Sequence, residues 1–236
     1  MSDAERDKWD ERYRGGAYEG RTHPTALLAA WLPFLPRGRP RNASCIRGTS
    51  AIPGGRPRNA SCIRGTSAIP GRRALDVACG AGRNALYLAA AGFAVDALDI
   101  SAVALDRGRR AAVERGLLVD WRPADFDRAD FDERPERAVP PHYDLIVWVR
   151  YVNRALLPHL VARLNPGGHL ICEQHLQTTA DVSGPRSPDF RLRAGELREA
   201  ARGMTVRHYN KGLIVDPDGR TVALTQLVAR ASPIGR

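Results

Sequence analysis

The chain has 236 residues and lacks any long apolar run, and its first residues are polar and charged. A membrane-spanning helix needs about 20 apolar residues in succession, and a secretory signal needs an apolar stretch near its start. We therefore expect a cytoplasmic protein with no membrane partner. Cysteines number only four, and neither they nor the histidines have the spacing of a metal site or a disulfide framework, so we expect no metal.

Lysine occurs only at Lys8 and Lys211, so arginine supplies nearly all of the basic residues behind the formal net charge of +10. A basic balance of this size raises nucleic acid as a partner, because clustered cations neutralise phosphates. However, six arginines and no acidic residue fall within residues 38–71. The rest of the chain is only mildly basic, and its charge does not favour nucleic acid.

Residues 38–71 consist of a perfect tandem repeat, in which GRPRNASCIRGTSAIPG occurs at 38–54 and again at 55–71. Each copy is rich in Gly, Pro, Ser and Arg and shows neither helical nor strand periodicity. The repeat predicts a disordered insert, and an arginine-rich binding element is the alternative. The sequence therefore divides into an N-terminal helical cap at 1–37, the insert at 38–71 and the core at 72–236.

Downstream of the insert, apolar strand-like runs alternate with helix-like stretches, which is typical of βαβ units. The predicted strands lie at 74–78, 93–98, 117–121, 143–149, 169–174, 204–210 and 221–230, and the predicted helices lie at 83–91, 101–115, 154–164 and 194–201. A short turn joins the last two strands, whereas parallel neighbours need a long crossover. We therefore predict an α/β fold, a doubly wound, Rossmann-like sheet of seven mostly parallel strands with an antiparallel C-terminal edge hairpin.

A glycine-containing turn follows the first predicted strand and leads into a helix. Gly80 and Gly82 let the backbone approach a ligand where any side chain would collide, and the helix start directs free N–H groups at it. With Ala85 and with Asp99 at the end of the second strand, these glycines also fit a dinucleotide fingerprint. The turn alone therefore leaves a nicotinamide-dependent oxidoreductase open.

Two acidic positions favour a different cofactor. Asp76 lies inside the first strand, four residues before Gly80, where a negative charge does not help to bind a pyrophosphate but can hold the amino group of S-adenosylmethionine. Asp125 and Phe126, just beyond the third strand, offer an acceptor for an adenine amino group beside an aromatic face. Together with the edge hairpin, these residues favour a cationic adenosyl ligand.

The longer motifs support this reading. They are KWDERY, RALDVACGAGRNALYLAAAGFAVDALDIS, DLIVWVRYVNRALLP, LNPGGHLICEQH and SPDFRLRAGELREAARGMTVRHY. In these segments the chain resembles the class I S-adenosylmethionine-dependent methyltransferases, and within them the tellurite-resistance and thiopurine-methyltransferase-like branch that acts on small molecules. The resemblance covers nearly the whole chain except the insert, and Arg83-Asn84 stand where that family has its third motif glycine.

The resemblance implies a cofactor site and an acceptor site. On the cofactor side it implies contacts of Asp76, Ala78, Gly80 and Gly82 with the methionine part, of Asp99 with the ribose, of Asp125 and Phe126 with adenine, and of Trp148 with the sulfonium. Ile100 is a further implied cofactor contact. Trp148 lies near the end of the fourth strand, Arg150 and Tyr151 follow that strand, and His175 lies at the C-terminal end of the fifth. These four are the candidates for catalysis. The alternatives are that Arg150 only solvates a helix start and that His175 only makes a cap or turn contact.

Trp9 and Tyr13 lie one helical turn apart near the start of the chain. This spacing fits two aromatic rings folded over a cofactor and equally an amphipathic helix docked on the sheet. The sequence as a whole predicts methyl transfer from S-adenosylmethionine to a small-molecule acceptor, such as a thiol or a chalcogen oxyanion. A nicotinamide-dependent oxidoreductase and a non-catalytic nucleic-acid-binding module that uses the arginine-rich insert are the alternatives.

Overall fold

The structure is a computed structural model, and it describes residues 3–35, 72–126 and 142–232. The predicted disordered insert at 38–71 lies outside these residues, as does 127–141, most of the connection between the third and fourth strands. No helix in the described ranges is long and apolar enough to cross a membrane.

The described chain contains seven strands and six α-helices. The strands are β1 Arg73–Val77, β2 Ala94–Asp99, β3 Val119–Pro123, β4 Tyr143–Val149, β5 Leu164–His175, β6 Thr205–Val215 and β7 Thr221–Arg230. The helices are α1 Asp3–Arg14, α2 Ala26–Trp31, α3 Arg83–Ala90, α4 Ala102–Glu114, α5 Leu156–Ala162 and α6 Glu196–Ala200, and short 3-10 helices occupy Leu32–Phe34 and Pro188–Phe190.

All seven strands form one sheet in the order β3-β2-β1-β4-β5-β7-β6. The pairs among β1 to β5 are parallel, whereas β7 is antiparallel to both β5 and β6. The predicted doubly wound sheet with a C-terminal edge hairpin is therefore confirmed. The reversed strand β7 lies one place in from the edge, and β6 is the edge strand.

Several predicted boundaries were wrong. Strand β6 runs to Val215 rather than to 210, and α5 and α6 are shorter at both ends than predicted. Two of the differences have a local reason. The third strand begins at Val119 rather than at 117, because the N–H of Leu117 still bonds the carbonyl of Ala112 at the end of α4. Strand β5 begins at Leu164 rather than at 169, so Pro166-Gly167-Gly168 lies inside it, where the pairing with β4 shifts register. Gly167 has a φ of +77° there, so the segment is an irregularity within the strand.

Helices cover both faces of the sheet, and each face has its own apolar cluster. One cluster joins β1, β4, β5 and β7 to α5 and α6 and includes Trp148, Cys172 and Phe126. The other joins the opposite face to α2, α3 and α4. Ser101 caps α4 as predicted, since its Oγ accepts the N–H of Ala104 at 3.1 Å. Because β1 to β5 are parallel, their carboxyl ends lie at the same edge of the sheet, where the connecting loops can form a site.

Candidate functional site

The turn after β1 has an unusual backbone. Ala78, Gly80 and Gly82 have φ values of +51°, +57° and +80°, and Gly82 is the N-cap of α3. Left-handed conformations favour glycine, because a Cβ is strained there. Arg83 and Asn84 already lie in α3, so neither needs to be glycine. Ala78 is thus the residue of the turn that has a left-handed backbone without being glycine, and Arg83-Asn84 lie in the helix.

Asp76 is an acid inside the sheet with one free oxygen. Its side chain is 1% exposed, it accepts the backbone N–H of Ala85, and its Oδ2 has no hydrogen-bond partner. Burial raises the pKa of Asp76 to about 7, while the bond from Ala85 and the charge of Arg83 oppose the rise. An orphaned buried carboxylate oxygen beside a glycine turn fits a cationic or N–H-donating ligand group.

Asp99 is the last residue of β2, and its carboxylate binds the backbone of the glycine turn. Its Oδ2 accepts the N–H of Gly80 at 2.7 Å, and its Oδ1 accepts the N–H of Ser101 at 2.9 Å. Burial raises the pKa of Asp99 despite these bonds. Each carboxylate oxygen has a second lone pair, so ribose hydroxyls can still bind, with Ile100 partly exposed alongside. Asp99 therefore has a structural role in addition to the predicted ligand role.

Aromatic side chains lie against both glycines. A Cβ at Gly80 would meet the hydroxyl oxygen of Tyr13 at 2.5 Å, and a Cβ at Gly82 would clash with the ring of Trp121. Helix α1 is anchored here because Asp10 accepts hydrogen bonds from Ser101 Oγ at 2.6 Å and from the N–H of Val103 at 3.2 Å. Helix α1 therefore lies against the glycine turn and the start of α4.

The two aromatic residues of α1 have different surroundings. Tyr13 is 7% exposed and lies over the turn, and burial together with the Asp99 charge raises its pKa far above the usual range. Trp9 is only partly buried and stacks on the guanidinium of Arg12 at 4.8 Å. Of the two residues, Tyr13 is therefore the one that lies over the glycine turn.

The predicted adenine and acceptor residues meet on one face of the sheet. The Phe126 ring lies 5.8 Å from that of Tyr151, and both pack in the same cluster as Trp148. The indole Nε1 of Trp148 is buried without a hydrogen-bond partner. Asp125 is partly exposed next to Phe126. The structure therefore brings the predicted β3 and β4 residues together into one aromatic wall.

Arg150 is held by two acids. It directly follows β4 with a φ of +57°, its Nη1 donates to Asp216 at 2.8 Å, its Nη2 makes a further contact with the same carboxylate, and its Nε donates to Glu173 at 3.2 Å. Glu173 in turn accepts from Thr25 Oγ1 at 2.9 Å and from Gln226 Nε2 at 2.8 Å. The charge of Arg150 is thereby balanced within the fold.

His175 ends β5 beneath the loop that follows. It is 8% exposed, and its Nδ1 has no hydrogen-bond partner. Burial and the charges of Arg150 and Arg191 lower the pKa of His175 to about 4, so the imidazole is neutral at pH 7. A cavity of about 740 Å³ lies within loop residues 177–191, where Gly184 packs on His175. The cavity therefore borders His175, and none of its lining residues belongs to the glycine turn.

Sequence reasoning missed several residues of the site. They are Asp10, Thr25, Arg83, Glu173 and Asp216. A charged residue in the middle of an apolar strand, as at Glu173, is a signal that sequence reasoning could have used, because such a residue is seldom buried unless it is paired. The others are recognisable only from the tertiary contacts.

Comparisons with known proteins identify the fold. A family described as methyltransferase domain matches residues 74–168. The chain is 22% identical to TehB from Haemophilus influenzae, with a TM-score of 0.57, and the match covers 68% of this chain and 57% of that one. It is 18% identical to magnesium protoporphyrin IX methyltransferase from Synechocystis with bound S-adenosylhomocysteine, with a TM-score of 0.52 and coverage of 70% and 75%. No curated protein matches the sequence.

A third structure with this fold is the [4+2]-cyclase SpnF, at 19% identity and a TM-score of 0.53, covering 70% of this chain and 75% of that chain. The chain therefore has the class I methyltransferase fold, although a shared fold does not determine the reaction. Residues 74–168 match a methyltransferase domain, and S-adenosylmethionine is the cofactor that this domain and its neighbours support. The orphaned oxygen of Asp76 and the glycine turn fit that cofactor.

Proposed function

We propose that the chain transfers a methyl group from S-adenosylmethionine to a small-molecule acceptor in the cytoplasm. The observation that carries the proposal is the unpaired Oδ2 of Asp76, buried at the glycine turn inside the matched domain. A cationic amino group is the ligand that such an oxygen favours. Residues 1–37 serve as the cap, 72–236 carry the catalytic core, and 38–71 is a dispensable insert.

The chain's own residues position the reactants. Asp99 and Ile100 hold the ribose, Asp125 and Phe126 hold adenine, and Asp76 takes the amino group. When bound, the cofactor supplies an electrophilic methyl group on its sulfonium. Trp148 and Tyr151 form an apolar wall that excludes water, and most of the acceleration comes from alignment of the acceptor in this dry space.

The electrostatics of the acceptor side favour an acceptor that is reactive without a strong base. His175 has a pKa lowered to about 4, so its neutral imidazole is a weak proton acceptor that can still hydrogen-bond the acceptor through Nδ1. Arg150 is paired with Glu173 and Asp216 and acts by shaping the strand end. A thiol that ionises on its own, or a chalcogen oxyanion, fits these conditions.

A nicotinamide-dependent oxidoreductase is the first alternative, and the glycine turn with Asp99 supports it. Against it, a pyrophosphate over the turn would face the buried carboxylate of Asp76, whereas an ammonium group would pair with it. The second alternative, a nucleic-acid-binding module, depends on the arginine-rich insert, which lies outside the described residues.

Calorimetric titration of the full chain with S-adenosylhomocysteine and, separately, with NAD tests the cofactor. We expect binding of the first and none of the second, and the reverse result would overturn the proposal. A methyl-transfer screen over thiols, selenite, tellurite, phenols and aromatic amines then tests the acceptor. The Asp76→Ala variant provides the control preparation, and turnover confined to phenols or amines would overturn the acceptor class.

A further inference from the structure

Arg83 is a partly buried guanidinium without an acidic partner. It is the first residue of α3, directly after Gly82, and its Nη1 reaches only the carbonyl of His23, at 3.5 Å. In the described part of the chain, no Asp or Glu forms an ion pair with it. Its two cationic neighbours are both paired, Arg21 with Asp218 at 3.0 Å and Arg150 with Asp216 and Glu173.

The surroundings of Arg83 disfavour its charge. Burial lowers the pKa of Arg83, and the charges of Arg150 and Arg21 lower it further, while the acids that surround Arg150 compensate only in part. A guanidinium stays charged in proteins. It therefore gains from an anion that reaches the same space, because the anion would offset both the burial and the repulsion.

Asp76 and Arg83 both lie near the N-terminal end of α3. Asp76 lacks a hydrogen-bond donor at Oδ2, and Arg83 lacks an acidic acceptor. Asp76 bonds the N–H of Ala85 and leaves Oδ2 without a donor, and Arg83 offers several N–H donors that no carboxylate accepts. The positive end of the helix dipole adds to the preference for an anion near Arg83. The charge of Arg83 already acts on the pKa of Asp76. One small group that carries an ammonium and a carboxylate can therefore serve both residues, and an α-amino acid is such a group.

We infer that Arg83 binds the α-carboxylate of the cofactor's amino-acid end while Asp76 binds its α-amino group. This inference rests on the proposed function and adds a specificity-determining residue to it. The arginine at this position then selects adenosyl ligands with an intact amino acid over those that have lost the carboxylate. It also explains why the residue after the glycine turn is a long cation rather than a small residue.

Two ligands that differ in one group isolate the contact. S-adenosylhomocysteine carries the carboxylate, and its decarboxylated analogue, S-adenosyl-3-thiopropylamine, keeps the amino group and the nucleoside. For the full-length wild-type chain, calorimetry should show the first ligand binding about 10- to 100-fold more tightly, as expected for a hydrogen bond between charged partners. Equal affinities would overturn the inference without any variant being made.

The Arg83→Gln variant should lose that preference. Its affinity for S-adenosylhomocysteine should fall about 10- to 100-fold, and its affinity for the decarboxylated analogue should stay within about twofold. Arg110→Gln, which removes an exposed arginine of α4, is the matched control and should change neither affinity. Because Arg83 is repelled by its neighbours, the thermal midpoint of the variant should not fall.

The outcomes separate the inference from the proposed function. If the wild type binds S-adenosylhomocysteine and Arg83→Gln binds it equally well, or weakens both ligands alike, Arg83 does not hold the carboxylate, and the methyltransferase proposal stands. If the wild type binds neither ligand, the proposed function fails and this inference fails with it. Arg83→Lys, which keeps the charge but not the planar fork, should show an intermediate preference.

Discussion

The side chains of Thr25 and Glu173 are joined by a hydrogen bond of 2.9 Å between Thr25 Oγ1 and Glu173 Oε2, although 148 residues separate them. The backbone N–H of Thr25 also donates to Asn84 Oδ1 at 3.0 Å. The segment before the predicted insert is therefore bound to β5 and α3 at the edge where the site lies. Since Glu173 also accepts a hydrogen bond from Arg150, this contact extends to the proposed acceptor side.

We expect Glu173→Ala to be strongly destabilising. Glu173 is 1% exposed, and its loss leaves Arg150 with one acid and removes the acceptor of Thr25 and Gln226. Removal of one partner of a buried ion pair costs about 3 to 5 kcal/mol. Denaturant-induced unfolding followed by circular dichroism measures the change.

The matched control is Asp106→Ala, because Asp106 pairs with Arg109 on the surface of α4. An exposed pair of this kind contributes at most about 1 kcal/mol. If both variants lower the free energy of unfolding by the same small amount, the buried network does not hold the N-terminal segment in place.

The contact between Tyr13 and Gly80 predicts a specific coupling. Gly80→Ala places a Cβ 2.5 Å from the Tyr13 hydroxyl oxygen, whereas the next ring atom is 3.6 Å away. Tyr13→Phe removes the hydroxyl, so the double variant should recover about 1 kcal/mol of the stability that Gly80→Ala loses. Part of the loss should remain, since φ at this position is +57°.

Gly116→Ala separates backbone strain from the clash. Gly116 has a φ of +64°, and no atom lies within 4 Å of a Cβ built there. The stability that Gly116→Ala loses should equal the part of the Gly80→Ala loss that Tyr13→Phe does not recover, which is about 1 kcal/mol. Additive effects of Gly80→Ala and Tyr13→Phe in the unfolding measurements would show that Tyr13 does not lie over the turn.

The sheet could be predicted from the sequence because its signals are local. The bounds of β4 and β7 agree with the apolar runs that predicted them, and the N-cap at Ser101 follows from the residue type. The position of β3 was wrong by two residues because the end of α4 depends on hydrogen bonds that periodicity does not reveal. The register shift in the pairing of β4 with β5 around Gly167 also depends on tertiary contacts, so it leaves no pattern in the local sequence.

The candidate site could be predicted only in part. The glycine turn, Asp76 and Asp99 are close in sequence and carry their own pattern, and the structure brings them together. The balance of Arg150 by Glu173 and Asp216 depends on residues from three distant segments. The same is true of Asp10 at the start of α4, because a surface helix and an anchoring helix have the same periodicity.

Deletion of one repeat tests the domain division. We expect removal of residues 38–54 to leave the affinity for S-adenosylhomocysteine within about twofold of the wild type, because lengthening or shortening a long connection changes loop entropy only slightly. Calorimetry measures the affinity, and the thermal midpoint checks that the variant is folded. A folded deletion variant that no longer binds the ligand would show that the insert contributes to the site.

The charge state of Asp76 predicts how cofactor binding depends on pH. Its pKa is raised to about 7 by burial, so the carboxyl is largely neutral in weak acid and charged in weak base. Only the charged form balances the ammonium of S-adenosylhomocysteine. The affinity of the wild type should therefore rise through about pH 7 by roughly tenfold, and Asp76→Asn should bind weakly with a flat profile.

The Asp76 carboxyl predicts the opposite pH dependence for the stability of the ligand-free protein. A carboxyl whose folded pKa lies above its unfolded value binds more protons when folded, so its contribution to stability falls as pH rises from 3.8 to about 7. Asp76→Asn lacks this titration, and its thermal midpoint relative to the wild type should increase between about pH 4 and pH 7. A constant difference in midpoint, with a pH-independent affinity of the wild type, would mean that Asp76 does not titrate in this range and does not bind the amino group as a carboxylate.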